Sequence, residues 1–185
     1  MVWLTGFGVL NTDPITQVAP LWVFLLLKAT TGVASGMVFT AGEEIGWRGL
    51  LAPQMFRLTT FTRTALITGV IWAVWHIPLM FMGYSSGTPF PFAFACFFVM
   101  VIGISLAQTY LRLTSHSVWP CIVLHASHNL FIQNVFDPLT KDAGFTPYIT
   151  TEFGIGTAIA IAIVGVIFWR KGKRLDSAKQ LQTTE

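Results

Sequence analysis

Five apolar segments, each long enough to cross a bilayer, dominate this sequence and limit what it can fold into. A helical span needs about 20 apolar residues. The first segment begins near Val18 and continues to about Leu51. The others cover about Thr64–Met82, Pro91–Leu113, Val118–Phe136 and Phe153–Trp169. Lipid offers no partner to backbone N–H and C=O groups, so such segments must satisfy them internally, as helices. Turn-forming residues separate the runs: Pro53, then 83–91, then 137–147. The predicted fold is an all-α polytopic membrane bundle of about five transmembrane helices, forming one domain over residues 1–185.

Charge supports this reading. Only 10% of the residues are charged, against roughly a quarter in a soluble domain. That excludes an ordinary cytosolic domain, a disordered chain and a nucleic-acid binder. The start has no basic n-region, so no cleavable signal peptide is expected. Arg48, Arg57 and Arg63 lie around the first connection, Arg112 at the third, and Arg170, Lys171, Lys173, Arg174 and Lys179 after the last span. The opposite loops carry only Lys141. The positive-inside rule then predicts an external N-terminus and a basic cytoplasmic tail over 170–185, beside the lipid bilayer. Cys96 and Cys121 lie in apolar runs without metal-type spacing and read as reduced, buried thiols.

Ionisable residues inside spans cost a few kcal/mol each on insertion, so each is a functional candidate. Glu43, Glu44 and Arg48 lie on the first segment, His76 on the second, and His125, His128 and Asn129 on the fourth. Counted from the basic side at 1.5 Å per residue, Glu43, His76 and His125 lie roughly 14, 18 and 12 Å deep. This common level predicts a shared polar cavity, open to the cytoplasmic side. Glu44 and Arg48 are i,i+4 and can pair, while Glu43 points about 100° away. His125 and Asn129 share a face, and Trp72 and His76 repeat the spacing. Pro78 predicts a kink just past His76. Gly32, Gly36, Gly42 and Gly46 read as close helix packing, and His128 as a supporting residue. A carboxylate in a low-dielectric cavity suits a general base, and an imidazole beside a primary amide suits oxyanion stabilisation.

Glu43-Glu44-x-x-x-Arg48, Trp72-x-x-x-His76 and His125-x-x-x-Asn129, in that order in successive spans, resemble the three motifs of the CPBP family. This family comprises the type II CAAX prenyl endopeptidases and the bacterial Abi proteins, which process bacteriocins or confer immunity to them. The resemblance covers about residues 35–136. It implies an intramembrane endopeptidase in which Glu43 activates water with His76 assisting. His125 and Asn129 would stabilise the oxyanion, and Glu44 and Arg48 would order the glutamates.

The sequence departs from the family pattern in two places. Trp72 stands where Phe is usual, and one span precedes the first motif where the family commonly has more. The chain is accordingly either a short member or one starting at an internal methionine. Glu43, His76 and His125 can also supply three ligands of an open zinc site, with His128 as a fourth, although no HExxH helix is present. The expectation is no tightly bound metal. Expected partners are a peptide or membrane-protein substrate, with an oligomer or membrane partner able to close the cavity. Two other functions use the same residues: a non-catalytic immunity or scaffold protein, and a small transporter.

Overall fold

The computed structural model describes residues 2–183. It contains four helices long and apolar enough to cross a membrane: α1 (Leu21–Leu58), α2 (Phe61–Phe81), α3 (Phe90–Ser115) and the helix containing Ile155–Leu181. The remaining expected segment, the fourth, is helical too. It is helix α4, Trp119–Phe131, extended by a wide turn over Ile132–Phe136. His125, His128, Asn129, Gln133 and Asn134 make it too polar to count among the four. The last helix, α5, runs Ile155–Thr183. The only sheet among the described residues is a two-residue antiparallel pair, β1 (Val9–Leu10) with β2 (Thr140–Lys141).

α3 is the centre of the bundle. It packs chiefly on α5 and α2, with α4 alongside it and α1 laid mainly against α4. Side chains from α2 and α3, including Trp72, Ala73, Phe97, Met100 and Val101, form the main apolar core. Small residues permit these contacts. A Cβ on Gly165 would lie 2.7 Å from Gly103 Cα, so α3 and α5 cross backbone to backbone. Between α2 and α3, Ser105 Oγ donates to Ala65 O at 2.9 Å and lies 3.2 Å from Thr68 Oγ1. Gly32 and Gly36 pack on Leu130 and Ala126, as expected, but Gly42 and Gly46 face open space. The expectation fails there because α4 covers only one face of α1.

Pro53 does not end the first helix. α1 continues to Leu58 through a wide turn over Ile45–Leu51. Such a turn bonds i to i+5 and opens the space that a proline ring contests with the preceding carbonyls. A second wide turn spans Lys28–Gly32. At about 57 Å for 38 residues, α1 is longer than a bilayer core. None of its most apolar window is buried by protein, which leaves that face for lipid.

The basic segment after the last span is not a separate tail. It continues α5 and docks on the α1–α2 connection. Asp176 Oδ1 accepts from the Phe61 N–H at 2.7 Å, capping α2, and Lys179 Nζ donates to the carbonyls of Phe56, Arg57 and Thr59 at the end of α1. Residues 184 and 185 of the expected tail lie outside the described residues. The N-terminal strand meanwhile pairs with the loop after α4. The bundle therefore has two distinct ends, one carrying the basic connections and one carrying loops 82–89 and 137–154.

The α3–α5 crossing gives a direct test. Gly165→Ala should lower stability by about 1–3 kcal/mol through overpacking. Gly42→Ala, which meets open space, should be neutral or stabilising. Thermal unfolding of the two variants in detergent compares them.

Candidate active site

Glu44 anchors the site. Its Oε1 accepts from three donors on three helices: Arg48 Nη1 of α1 at 3.0 Å, His125 Nδ1 of α4 at 2.9 Å and Gln108 Nε2 of α3 at 3.2 Å. Glu44, Arg48 and Gln108 have no exposed surface, and His125 has 4%. A charged pair so deep is tolerated only when held by further hydrogen bonds. Gln108 Nε2 also reaches Cys121 O, and Cys121 Sγ donates back to Gln108 O at 3.2 Å, which ties α3 to α4 one turn before His125. Arg112 Nε donates to the carbonyl of Arg48 at 2.9 Å, satisfying an acceptor in the wide turn. Cys96 and Cys121 are free thiols.

Glu43, one position earlier, faces elsewhere, as the 100° step requires. Its Oε2 accepts from Trp72 Nε1 at 2.9 Å. Phe could not make this bond, so the tryptophan contributes a donor as well as bulk. The Trp72 ring is shared further: the Arg48 guanidinium lies 4.3 Å from its centroid, and the His125 ring meets it edge-on at 5.1 Å.

His76 lies at the break in α2, between Phe61–Trp75 and Ile77–Phe81. The interruption falls on the histidine itself rather than past it. Its backbone N–H turns to Ala73 O at 3.2 Å, and its own Nδ1 lies 2.8 Å from the Trp72 carbonyl. A carbonyl only accepts, so Nδ1 carries the proton, and Nε2 is left as the acceptor of the neutral ring.

These residues meet around one chamber. Glu43, Trp72, His76, His125, His128 and Asn129 line a cavity of about 40 Å³. It adjoins a wider one of about 360 Å³, where Glu43, His76 and Asn129 are joined by Trp75, Leu79 and Gln133. The wider cavity is bounded by α2 and by α4 with its wide turn, and α1 contributes Glu43. Its apolar wall includes Trp75 and Leu79, which are 47% and 39% exposed. Of the six candidates named from sequence, four line the chamber, while Glu44 and Arg48 lie behind it as support. Glu44, Arg48 and Gln108, all fully buried, line neither cavity. The lining residues outside the helices, Tyr84 and Glu152, come from loops 82–89 and 137–154.

Tyr84 and Glu152 escaped the sequence reading, as did Gln108 and Gln133. The Tyr84 hydroxyl donates to Glu152, and Gln133 Nε2 donates to Glu152 Oε1 at 3.0 Å. His128 Nε2 lies 3.4 Å from the same oxygen. Burial alone would raise the Glu152 proton affinity, but His128, Tyr84 and Gln133 together outweigh it and hold the carboxyl below its ordinary value. Burial, followed by the charge of Glu152, pushes the Tyr84 phenol well above its ordinary value, so it remains a donor. A lone Glu among loop residues carries no spacing signal that points to a site.

Glu43, His76 and His125 share the chamber, but among the described residues no three His, Cys, Asp or Glu side chains converge closely enough to hold an ion. His125 Nδ1 and His76 Nδ1 are already engaged by Glu44 and Trp72.

Comparison with known proteins gives one finding. The family described as type II CAAX prenyl endopeptidase Rce1-like matches residues 17–131, which include all three motifs. No curated protein and no solved structure matches the chain.

Two stability predictions follow from this geometry. Arg48→Leu leaves Glu44 charged and buried with one donor fewer, and should cost about 3–5 kcal/mol, measured by unfolding in detergent. Asp137, beside the loop pocket, is raised to about 6 by burial and then by the Glu152 charge. The fold thus favours its neutral form: the benefit is complete below its ordinary value of 3.8 and is lost as pH rises through about 6. Asp137→Asn should abolish the decline in melting temperature across that window. At pH 7 it should stabilise by about 1 kcal/mol, a figure reduced for partial solvent exposure.

Proposed function

Because the chain belongs to the Rce1-like family of type II CAAX prenyl endopeptidases, a family of membrane proteases, we propose that it hydrolyses a peptide bond with water activated at Glu43. The observation that carries this reading is the chamber itself: Glu43, His76, His125 and Asn129 arrive from three helices, apart in sequence, to line one cavity. Glu43 takes a proton from water, and His76 Nε2 accepts from the same water and orients it. The hydroxide adds to the carbonyl carbon, and the Asn129 amide and the His125 Nε2–H donate to the oxyanion. Nδ1 of His125 lies against Glu44, so donation to the oxyanion falls to Nε2 and needs a proton on that nitrogen as well. Glu43 returns its proton to the leaving nitrogen, the C–N bond breaks, and an amine and a carboxylic acid depart, the acid then losing its proton to water.

Trp72, Glu44, Arg48 and Gln108 are positioning residues in this scheme. Trp72 aims the base, and the Glu44 cluster aims His125. The apolar flank formed by Trp75 and Leu79 suits a substrate held at the membrane, such as a lipidated peptide or a membrane-protein segment. The positive-inside distribution supports an external N-terminus and a cytoplasmic basic end.

The test uses purified protein in proteoliposomes with quenched fluorogenic peptides, with and without a farnesylated cysteine. Glu43→Gln should lower kcat by about 10²–10⁴-fold, and His125→Ala and Asn129→Ala by about 10²–10³-fold. Trp72→Phe keeps the ring and loses the donor, and should lower kcat by about tenfold with KM little changed. Chelators should leave the rate unchanged. Equal rates for wild type and Glu43→Gln on every peptide would sink the hydrolase reading in favour of a non-catalytic immunity or scaffold role.

A further inference from the structure

The chamber wall holds a second carboxylate that the three motifs do not supply. Glu152 is 3% exposed and lies between α4 and α5, beyond the residues matched by the family. It cannot swing away to solvent. Tyr84 from the loop after α2, His128 from α4 and Gln133 from the wide turn after α4 all hold it in place. It lines the 40 Å³ cavity together with Glu43, and also an adjoining cavity of about 210 Å³ that contains Asp137. Glu43 and Glu152 therefore share the narrow cavity, and Glu152 and Asp137 share the side cavity. Among the described residues no Lys or Arg lines any of these cavities. The nearby guanidinium, Arg48, is committed to Glu44 and to the Trp72 face and has no exposed surface.

Like charges repel strongly in a site of low effective dielectric, and a carboxylate fixed by its neighbours cannot relax away from an incoming anion. We infer that Glu152 is a specificity-determining residue, which makes the chamber accept neutral or basic peptide segments beside the scissile bond and reject acidic ones. The inference rests on the endopeptidase reading and narrows its substrate class. Residues of the peptide that enter the side cavity meet Asp137 and Glu152 together, so a Lys or Arg side chain there gains a partner while a Glu or Asp gains a repulsion.

The experiment uses the wild-type protein in proteoliposomes and quenched fluorogenic peptides identical except at one residue. That residue is Lys, Gln or Glu, moved through three positions on each side of the cut bond. At one position or more, kcat/KM should fall at least tenfold from Lys to Glu, with Gln between. Glu152→Gln should shrink that ratio below threefold at the same position. Glu152→Met, of similar volume and without charge, serves as the second variant should the first not fold. Binding of the same peptides to Glu43→Gln protein, read by fluorescence anisotropy, needs no turnover and should rank them in the same order. Failure of wild type to cut any peptide overturns the hydrolase reading, while the binding order still decides the charge selection. Equal binding of the three peptides, no binding, or a ratio unchanged in both Glu152 variants overturns the inference.

Discussion

The structure depends on one carboxylate oxygen. Glu44 Oε1 gathers a guanidinium, an imidazole and a primary amide from three helices. An ionised carboxylate without surface exposure would be several kcal/mol too costly on its own. Its donors must therefore stay in place, and so must the helices that carry them. α1 has few other reasons to hold a fixed rotation, since much of it faces lipid and it packs mainly on α4. The polar cluster sets that rotation, and with it the direction of Glu43 one step along the helix. In a bilayer, where apolar contact between helices gains little over contact with lipid, such a polar junction specifies the arrangement more than it stabilises it.

The backbone around the site is irregular where the chemistry requires it. α1 widens over Ile45–Leu51, directly after the glutamate pair, and Arg112 takes up the Arg48 carbonyl there. α2 breaks at His76, where the imidazole donates to a carbonyl that the backbone no longer uses. Broken helices at membrane depth persist only where side chains replace the lost bonds. Here the replacement has a second effect: it fixes which ring nitrogen holds the proton. At the loop end Tyr84, Gln133 and Glu152 line the cavities, on segments that belong to no motif.

Much of this was legible beforehand. Spans of this length and apolarity allow no other secondary structure, and the second and third segments end within a few residues of their expected limits. The i,i+4 arithmetic correctly separated Glu43 from Glu44 and paired Glu44 with Arg48. The misses share one cause. Pro53 reads as a stop unless the wide turn before it is known, and Gly42 reads as a packing surface unless the position of α4 is known. Gln108 is one amide in an apolar run, and Glu152 is one acid in a loop. Neither has a local spacing that marks it.

What the sequence determined was the class of fold, the segments that cross the bilayer and the set of polar side chains placed at depth, because period, length and insertion cost are local properties of a chain. Tertiary structure decided the partners. His125 meets Glu44 across 81 positions, Trp72 meets Glu43 across 29, and Glu152 reaches Tyr84 across 68. It also brought Glu43 of α1 to a cavity bounded by α2, α4 and the loop after α2. Those outcomes follow from how helices rotate and cross, which close approaches such as Gly103 against Gly165 permit. No periodicity along a single strand of sequence encodes that rotation.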